Sequence, residues 1–116
     1  VGFEAVARLL RGVQHLPSTA DTQPVSLLSM DLRLLSYFVA VAEERNFGRA
    51  AARLHMTQPP LSRAIQQLEA EFKAVLLARS PAGVTLTSAG AVLYEEARAL
   101  LDRAEEARAR VAAPTG

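Results

Sequence analysis

The chain has 116 residues, half of them hydrophobic and 22% charged, with no cysteine and two histidines. This suits one globular domain with a modest core and excludes a disulfide framework or a thiolate metal site. The histidines, His15 and His55, belong to no ligand-spaced cluster, so zinc is not expected. There is neither a glycine-rich phosphate loop nor a serine or carboxylate constellation suited to catalysis, and an enzyme is not expected. The net charge of +1 hides a local asymmetry. Between Arg45 and Arg79, the bases Arg45, Arg49, Arg53, Arg63, Lys73 and Arg79 face only Glu69 and Glu71. A near-neutral chain with one such basic segment can still carry an electrostatic footprint for an anionic partner.

Residues 1–29 read as an upstream extension, poorly ordered or with one short helix. "FEAVARLLRGVQHL" has amphipathic spacing, and "PSTADTQP" is a turn-rich spacer. The stretch is too short and too charged to span a membrane. A regular pattern starts at Met30. In "DLRLLSYFVAVAEER", Leu32, Leu35, Phe38, Val39 and Ala42 share one helical face, while Leu34, Tyr37 and Val41 add a second apolar strip. Such a helix is buried on more than one side. Asn46 caps the next short helix, "GRAAARL", whose Ala50 and Ala51 allow close helix approach.

Thr57 is the expected N-cap of a third helix, its hydroxyl accepting a bond from an orphan N–H. Pro59 and Pro60 fall in the first turn, where a missing N–H costs little. Leu61, Ile65, Leu68 and Phe72 then recur at steps of about four, three and four, predicting one buried face. Pro59, Ser62, Arg63 and Gln66 stand on the opposite side. In "VLLARSPAGVTLT", residues 75–78 and 84–86 predict two strands joined by the turn "SPAG". Thr87 caps a long last helix. There Gly90, Leu93, Ala97, Leu100, Ala104, Ala107 and Val111 form a seam of alternating three- and four-residue steps that suits a partner helix. Glu95 with Arg98, Arg98 with Asp102 and Glu106 with Arg110 have the spacing of helix-surface ion pairs.

Two short helices about a tight turn, a core helix before them and a hairpin after them predict a winged helix-turn-helix at 30–87. A linker or dimerisation helix follows at 88–113. In such a motif the second of the two helices enters the major groove. Gln58 has the donor and acceptor for adenine and Arg63 the fork for guanine. Pro59 and Pro60 offer an apolar surface to a thymine methyl, Ser62 a hydroxyl, and the helix N-terminus favours a phosphate.

The segments "FVAVAEERNFGRAAARL", "QPPLSRAIQQLE" and "LTSAG", in this order and spacing, resemble the N-terminal DNA-binding domain of LysR-type transcriptional regulators. The resemblance runs from Met30 to about Ala112. It implies sequence-specific binding of double-stranded DNA by a bacterial, cytoplasmic regulator, with residues 57–67 as recognition helix. Thr57, Gln58, Pro59, Pro60, Ser62, Arg63 and Gln66 would face DNA, and Arg79 would touch phosphate at the start of the wing. The last helix would pair two subunits through Leu93, Ala97, Leu100, Ala104, Ala107 and Val111. The family implies tetramers on interrupted palindromes and a small-molecule effector bound by a C-terminal domain, which this stretch of sequence does not include. No cofactor is expected in the fragment.

Three positions depart from the family pattern. Lys73 replaces a glycine suited to a left-handed helix end, Ala82 replaces a basic residue at the wing tip, and Ala78 replaces a glutamate beside Arg79. Lys73 and Ala82 motivate a second reading, a winged-helix dimerisation module with weak or lost DNA binding.

Overall fold

The computed structural model describes residues 31–113. The short helix and spacer expected within 1–29 lie outside the described residues. The elements in order are α1 (Leu32–Glu44), α2 (Phe47–Arg53), α3 (Gln58–Phe72), β1 (Leu77–Ser80), β2 (Gly83–Leu86) and α4 (Ser88–Ala112). This is a winged helix: three helices, a two-stranded antiparallel hairpin, and a long helix after it.

Helix α1 runs through the centre. Leu34, Leu35, Phe38, Val39, Ala40 and Val41 are all buried, so the helix is covered on more than one side. Phe38 and Leu35 retain no exposed surface, and burying a side chain of this size contributes roughly 1.5–3 kcal/mol. The core is completed by Phe47, Ala50 and Ala51 from α2, Leu61, Ala64, Ile65 and Leu68 from α3, Leu76, Leu77 and Val84 around the hairpin, and Leu93 and Ala97 from α4. Asn46 caps α2 as expected, its Oδ1 accepting from the Arg49 N–H at 2.7 Å. The methyl-sized Ala50 and Ala51 sit buried where α2 meets its neighbours.

Left-handed residues close two of the helix ends in the same way. After α2, His55 has φ 57, and the Met56 N–H returns to the Ala51 carbonyl at 2.9 Å. After α3, Lys73 has φ 52 and ψ 45, and the Ala74 N–H returns to the Glu69 carbonyl at 3.1 Å. Both are Schellman closures, a position where glycine is cheapest. Lys73 therefore does not divert the chain, because the hydrogen bonds outweigh the crowding of its Cβ. One element of the expected α3 face fails. Phe72 is 40% exposed, since it is the last helical residue before the chain turns off at Lys73.

The hairpin begins two residues later than the sequence predicts and continues into the expected turn. Leu77 pairs with Leu86, Ala78 with Thr85, Arg79 with Val84, and Ser80 with Gly83, which leaves a two-residue tip of Pro81 and Ala82. Val75 and Leu76 serve instead as connectors. The Glu69 carboxylate accepts the Leu76 N–H at 2.9 Å and the Leu77 N–H at 3.3 Å. Thr87 donates its hydroxyl to the Val75 carbonyl at 2.6 Å and accepts from the Gly90 N–H at 3.0 Å. Two glycines are required by this construction. A Cβ on Gly90 would stand 2.0 Å from the Leu76 carbonyl oxygen. Gly83 has φ 129, and a Cβ there would lie 3.0 Å from the Arg45 carbonyl oxygen, which accepts the Val84 N–H at 3.2 Å.

The seam expected on α4 divides. Gly90, Leu93 and Ala97 are buried by the chain's own core, Leu100 and Ala104 are half-buried, and from Glu105 onward every described residue of α4 is exposed. The close ion pairs of α4 differ from those expected: Arg98 reaches Glu43 of α1, with Asp102 acting on it only at longer range, while Arg103 pairs with Glu106 and Arg108 with Glu105.

Lys73→Gly should relieve the left-handed strain and stabilise the fold by about 1 kcal/mol, raising the midpoint of thermal unfolding by roughly 4–8 °C. A melting curve followed by circular dichroism checks this. An unchanged or lower midpoint would show that Lys73 is not strained there.

Candidate nucleic-acid interface

Helix α3 buries Leu61, Ala64, Ile65 and Leu68, so the residues between them are turned away from the core. Pro59, Arg63 and Gln66 are exposed, Pro60 and Ser62 half-buried, and Thr57 and Gln58 exposed at the start of the helix. The edge singled out by periodicity is thus one surface of one helix. Gln67, which the spacing argument leaves out, is exposed beside it. The Gln58 side chain leans over α2: its Oε1 lies 3.8 Å from the point where a Cβ on Gly48 would stand.

Thr57 occupies the N-cap position in extended geometry, but its side chain makes no capping hydrogen bond. The reason lies in the next residues. A cap hydroxyl accepts from the second or third helical N–H, and those positions are Pro59 and Pro60, which have none. The Thr57 hydroxyl is left exposed for other use. The same prolines thin out the expected anion site, because Gln58 alone of the first three helical residues keeps an N–H to offer a phosphate.

The basic residues sort into two groups. Arg53 donates to the Glu43 carboxylate at 2.8 Å and to Glu44 at 3.3 Å. Arg49 donates to the Glu44 carbonyl at 2.8 Å and lies 3.8 Å from its carboxylate. Charge counting from Arg45 onward missed this, because Glu43 and Glu44 stand just before the basic segment. Among the described residues, Arg45, Arg63, Lys73 and Arg79 make no ion pair. Arg79 instead sits over an aromatic ring, its guanidinium carbon 4.1 Å from the centroid of Phe47.

Glu43 also joins elements that the sequence gives no reason to connect. Its Oε2 accepts the Tyr94 hydroxyl at 2.6 Å and Arg98 Nη1 at 2.6 Å, both from α4, while its Oε1 accepts Arg53 of α2. One carboxylate on α1 therefore ties α1 and α2 to the long helix. The Tyr94 hydroxyl first, and then the Arg53 and Arg98 guanidiniums, hold the Glu43 carboxyl below its ordinary range against the opposing effect of burial. The same contact raises the Tyr94 hydroxyl.

Residues 32–91 match the family model described as the bacterial regulatory helix-turn-helix protein of the lysR family. The chain belongs to the LysR family. It carries the helix-turn-helix DNA-binding domain of that family, and α3 is the second helix of the motif. The transcriptional regulator XapR of Escherichia coli K12 is 54% identical over 81 residues, which is 70% of this chain and 28% of that protein. The chain thus spans under a third of the length of this relative. The solved complex of the CbnR DNA-binding domain with DNA is 48% identical at a TM-score of 0.66, covering 72% of this chain and 98% of that one. The complex of the BenM DNA-binding domain with catB site 1 DNA is 42% identical at a TM-score of 0.70, covering 75% and 100%. These relatives are regulators rather than enzymes.

A depressed carboxyl contributes stability that is complete above its unfolded value and is lost as pH falls through the lower folded one. Glu43→Gln should therefore melt a few degrees below wild type at pH 7, and the difference should close as pH falls below about 4. Thermal melts across this range check it. A gap that stays constant with pH would mean that the Glu43 charge contributes nothing.

Proposed function

We propose that this LysR-family domain binds double-stranded DNA sequence-specifically, with the N-terminal half of α3 in the major groove. The observation that supports this most is the sorting of cations. Arg49 and Arg53 are engaged with carboxylates, whereas Arg63 stands exposed on α3 with no ion pair among the described residues. A guanidinium free on that edge has the fork that guanine O6 and N7 accept. Gln58 supplies the donor and acceptor that adenine presents, and Ser62, Gln66 and the uncapped Thr57 hydroxyl add short polar contacts. Pro59 and Pro60 form the apolar part of the surface. Arg79 of the wing contacts a phosphate and fixes register rather than reading sequence. The reading with lost DNA binding loses one of its two motives, because the Lys73 turn closes as a glycine turn would.

Two copies would act together. One recognition helix reads only a few base pairs, and a two-fold dimer supplies a second half-site at a set spacing. The joint we propose is the outer part of α4, where Ala107 is exposed and Val111 is 79% exposed, continuous with the half-buried Leu100 and Ala104. Leu93 and Ala97 support that joint only indirectly, by seating α4 on its own domain. In a longer regulator of this family, a C-terminal domain would take a small-molecule effector and set the arrangement of such dimers in a tetramer on an interrupted palindrome. Residues 31–113 would supply the DNA contact that is switched, in the bacterial cytoplasm where the chromosome lies.

Arg63→Ala should weaken binding to a site selected from a random pool by roughly 1–3 kcal/mol and relax preference at one base position. Its effect on random duplex should be much smaller, as fluorescence anisotropy on both DNAs would show. Equal losses on both would place Arg63 on phosphate instead. For assembly, Ala107→Asp combined with Val111→Asp should convert a dimer into a folded monomer, since charges on a shared apolar seam are costly to desolvate. Sedimentation at tens of micromolar decides it, and a monomeric wild type would remove the joint from α4.

A further inference from the structure

The alternation of side chains along a strand puts Arg79 in an unexpected place. Successive residues point to opposite faces, so Arg79 lies on the same face as Leu77, two residues before it, and shares that face with its partner Val84. Leu77 and Val84 are both buried. Arg79 is thus on the inner, helix-facing side of the hairpin, yet the residue is exposed. Phe47, the first residue of α2, explains how both hold. Its ring is buried in the core and offers one face to the guanidinium at 4.1 Å. Backbone contact fastens the same corner, since the Val84 N–H donates to the Arg45 carbonyl just before α2.

The kind of contact matters. A carboxylate would occupy the in-plane N–H donors of an arginine, as Glu43 and Glu44 do for Arg53. A ring occupies only the flat face and leaves the donors at the edge directed outward. With Ala78 beside it, Arg79 has no acidic neighbour on its own strand. The result is a guanidinium seated over a ring, with no carboxylate paired to it among the described residues.

We propose that Phe47 is a positioning residue for DNA binding: its ring holds the Arg79 guanidinium ready, so that the wing meets a backbone phosphate without first ordering a flexible side chain. This rests on the reading above that Arg79 touches phosphate. Ordering one such side chain at an interface costs enough to change affinity by a few-fold.

The test is a double-mutant cycle on the full chain, with a random-sequence duplex as probe and binding followed by anisotropy at low salt. Phe47→Leu keeps an apolar side chain but removes the π face. It should weaken binding about three-fold, and Phe47→Tyr, which keeps the face, should bind as wild type. In an Arg79→Ala background, Phe47→Leu should have no further effect, because its role passes through that arginine. Phe47 also fills part of the core, so thermal melts must show each variant folded. If Phe47→Leu unfolds, Phe47→Met takes its place in the cycle. A loss of the same size in both backgrounds would mean that Phe47 acts only through the core and would overturn the proposal. If Arg79→Ala lowers affinity and salt dependence while Phe47→Leu changes neither, the phosphate contact stands and its positioning by Phe47 fails. If Arg79→Ala itself changes nothing, the phosphate reading fails and the proposal with it.

Discussion

Everything in this domain follows from how α3 is seated. Leu61, Ala64, Ile65 and Leu68 lock one stripe of that helix against the core, and a helix with one stripe fixed has no freedom over what it shows. Rotating α3 to display another edge would expose several of these side chains at once, at roughly 1.5–3 kcal/mol for each large one. The edge carrying Pro59, Ser62, Arg63 and Gln66 is therefore outward for reasons of packing, before any ligand is considered. The turn at His55 sets where the helix begins, and the turn at Lys73 sets where the chain leaves it for the wing.

Around that seat, polar groups act as fasteners rather than readers. Glu69 on α3 holds the N–H groups of Leu76 and Leu77, Thr87 holds the Val75 carbonyl, and Glu43 gathers Arg53, Tyr94 and Arg98. Each bond is modest, but together they join α3, the wing and the long helix to one frame. The same fasteners decide which cations remain for a partner. Arginines beside Glu43 and Glu44 are structural. Arg63 on α3 and Arg79 on the wing make no ion pair among the described residues, which leaves two positive charges that a polyanion would complement.

What could be read from the sequence was what depends on local periodicity. The buried face of α3, the two-sided burial of α1, the Asn46 cap and the hairpin all follow from spacings of two, three or four residues. What could not be read depends on groups distant in sequence or on exceptions to local rules. Thr57 has the chemistry of a cap, but the prolines after it withhold the donors. The α4 seam has coiled-coil spacing, yet periodicity cannot say which part of a stripe faces its own domain, and Leu93 and Ala97 turn inward. Glu43 and Tyr94 are 51 residues apart, and no local pattern pairs them. At Lys73 glycine is cheaper, which suggests a disturbance, whereas a strain of about 1 kcal/mol is easily outweighed by the contacts on either side.

If α3 is the helix that reads DNA, it enters the major groove. Dimethyl sulphate interference, on duplexes that the full chain selects from a random pool, reads this directly. The reagent marks guanine N7 in the major groove and adenine N3 in the minor groove. Interference is expected at guanine N7, in two clusters about one helical turn or a multiple of it apart. Interference confined to adenine N3 would contradict it, since the domain would then hold DNA without its recognition helix in the major groove.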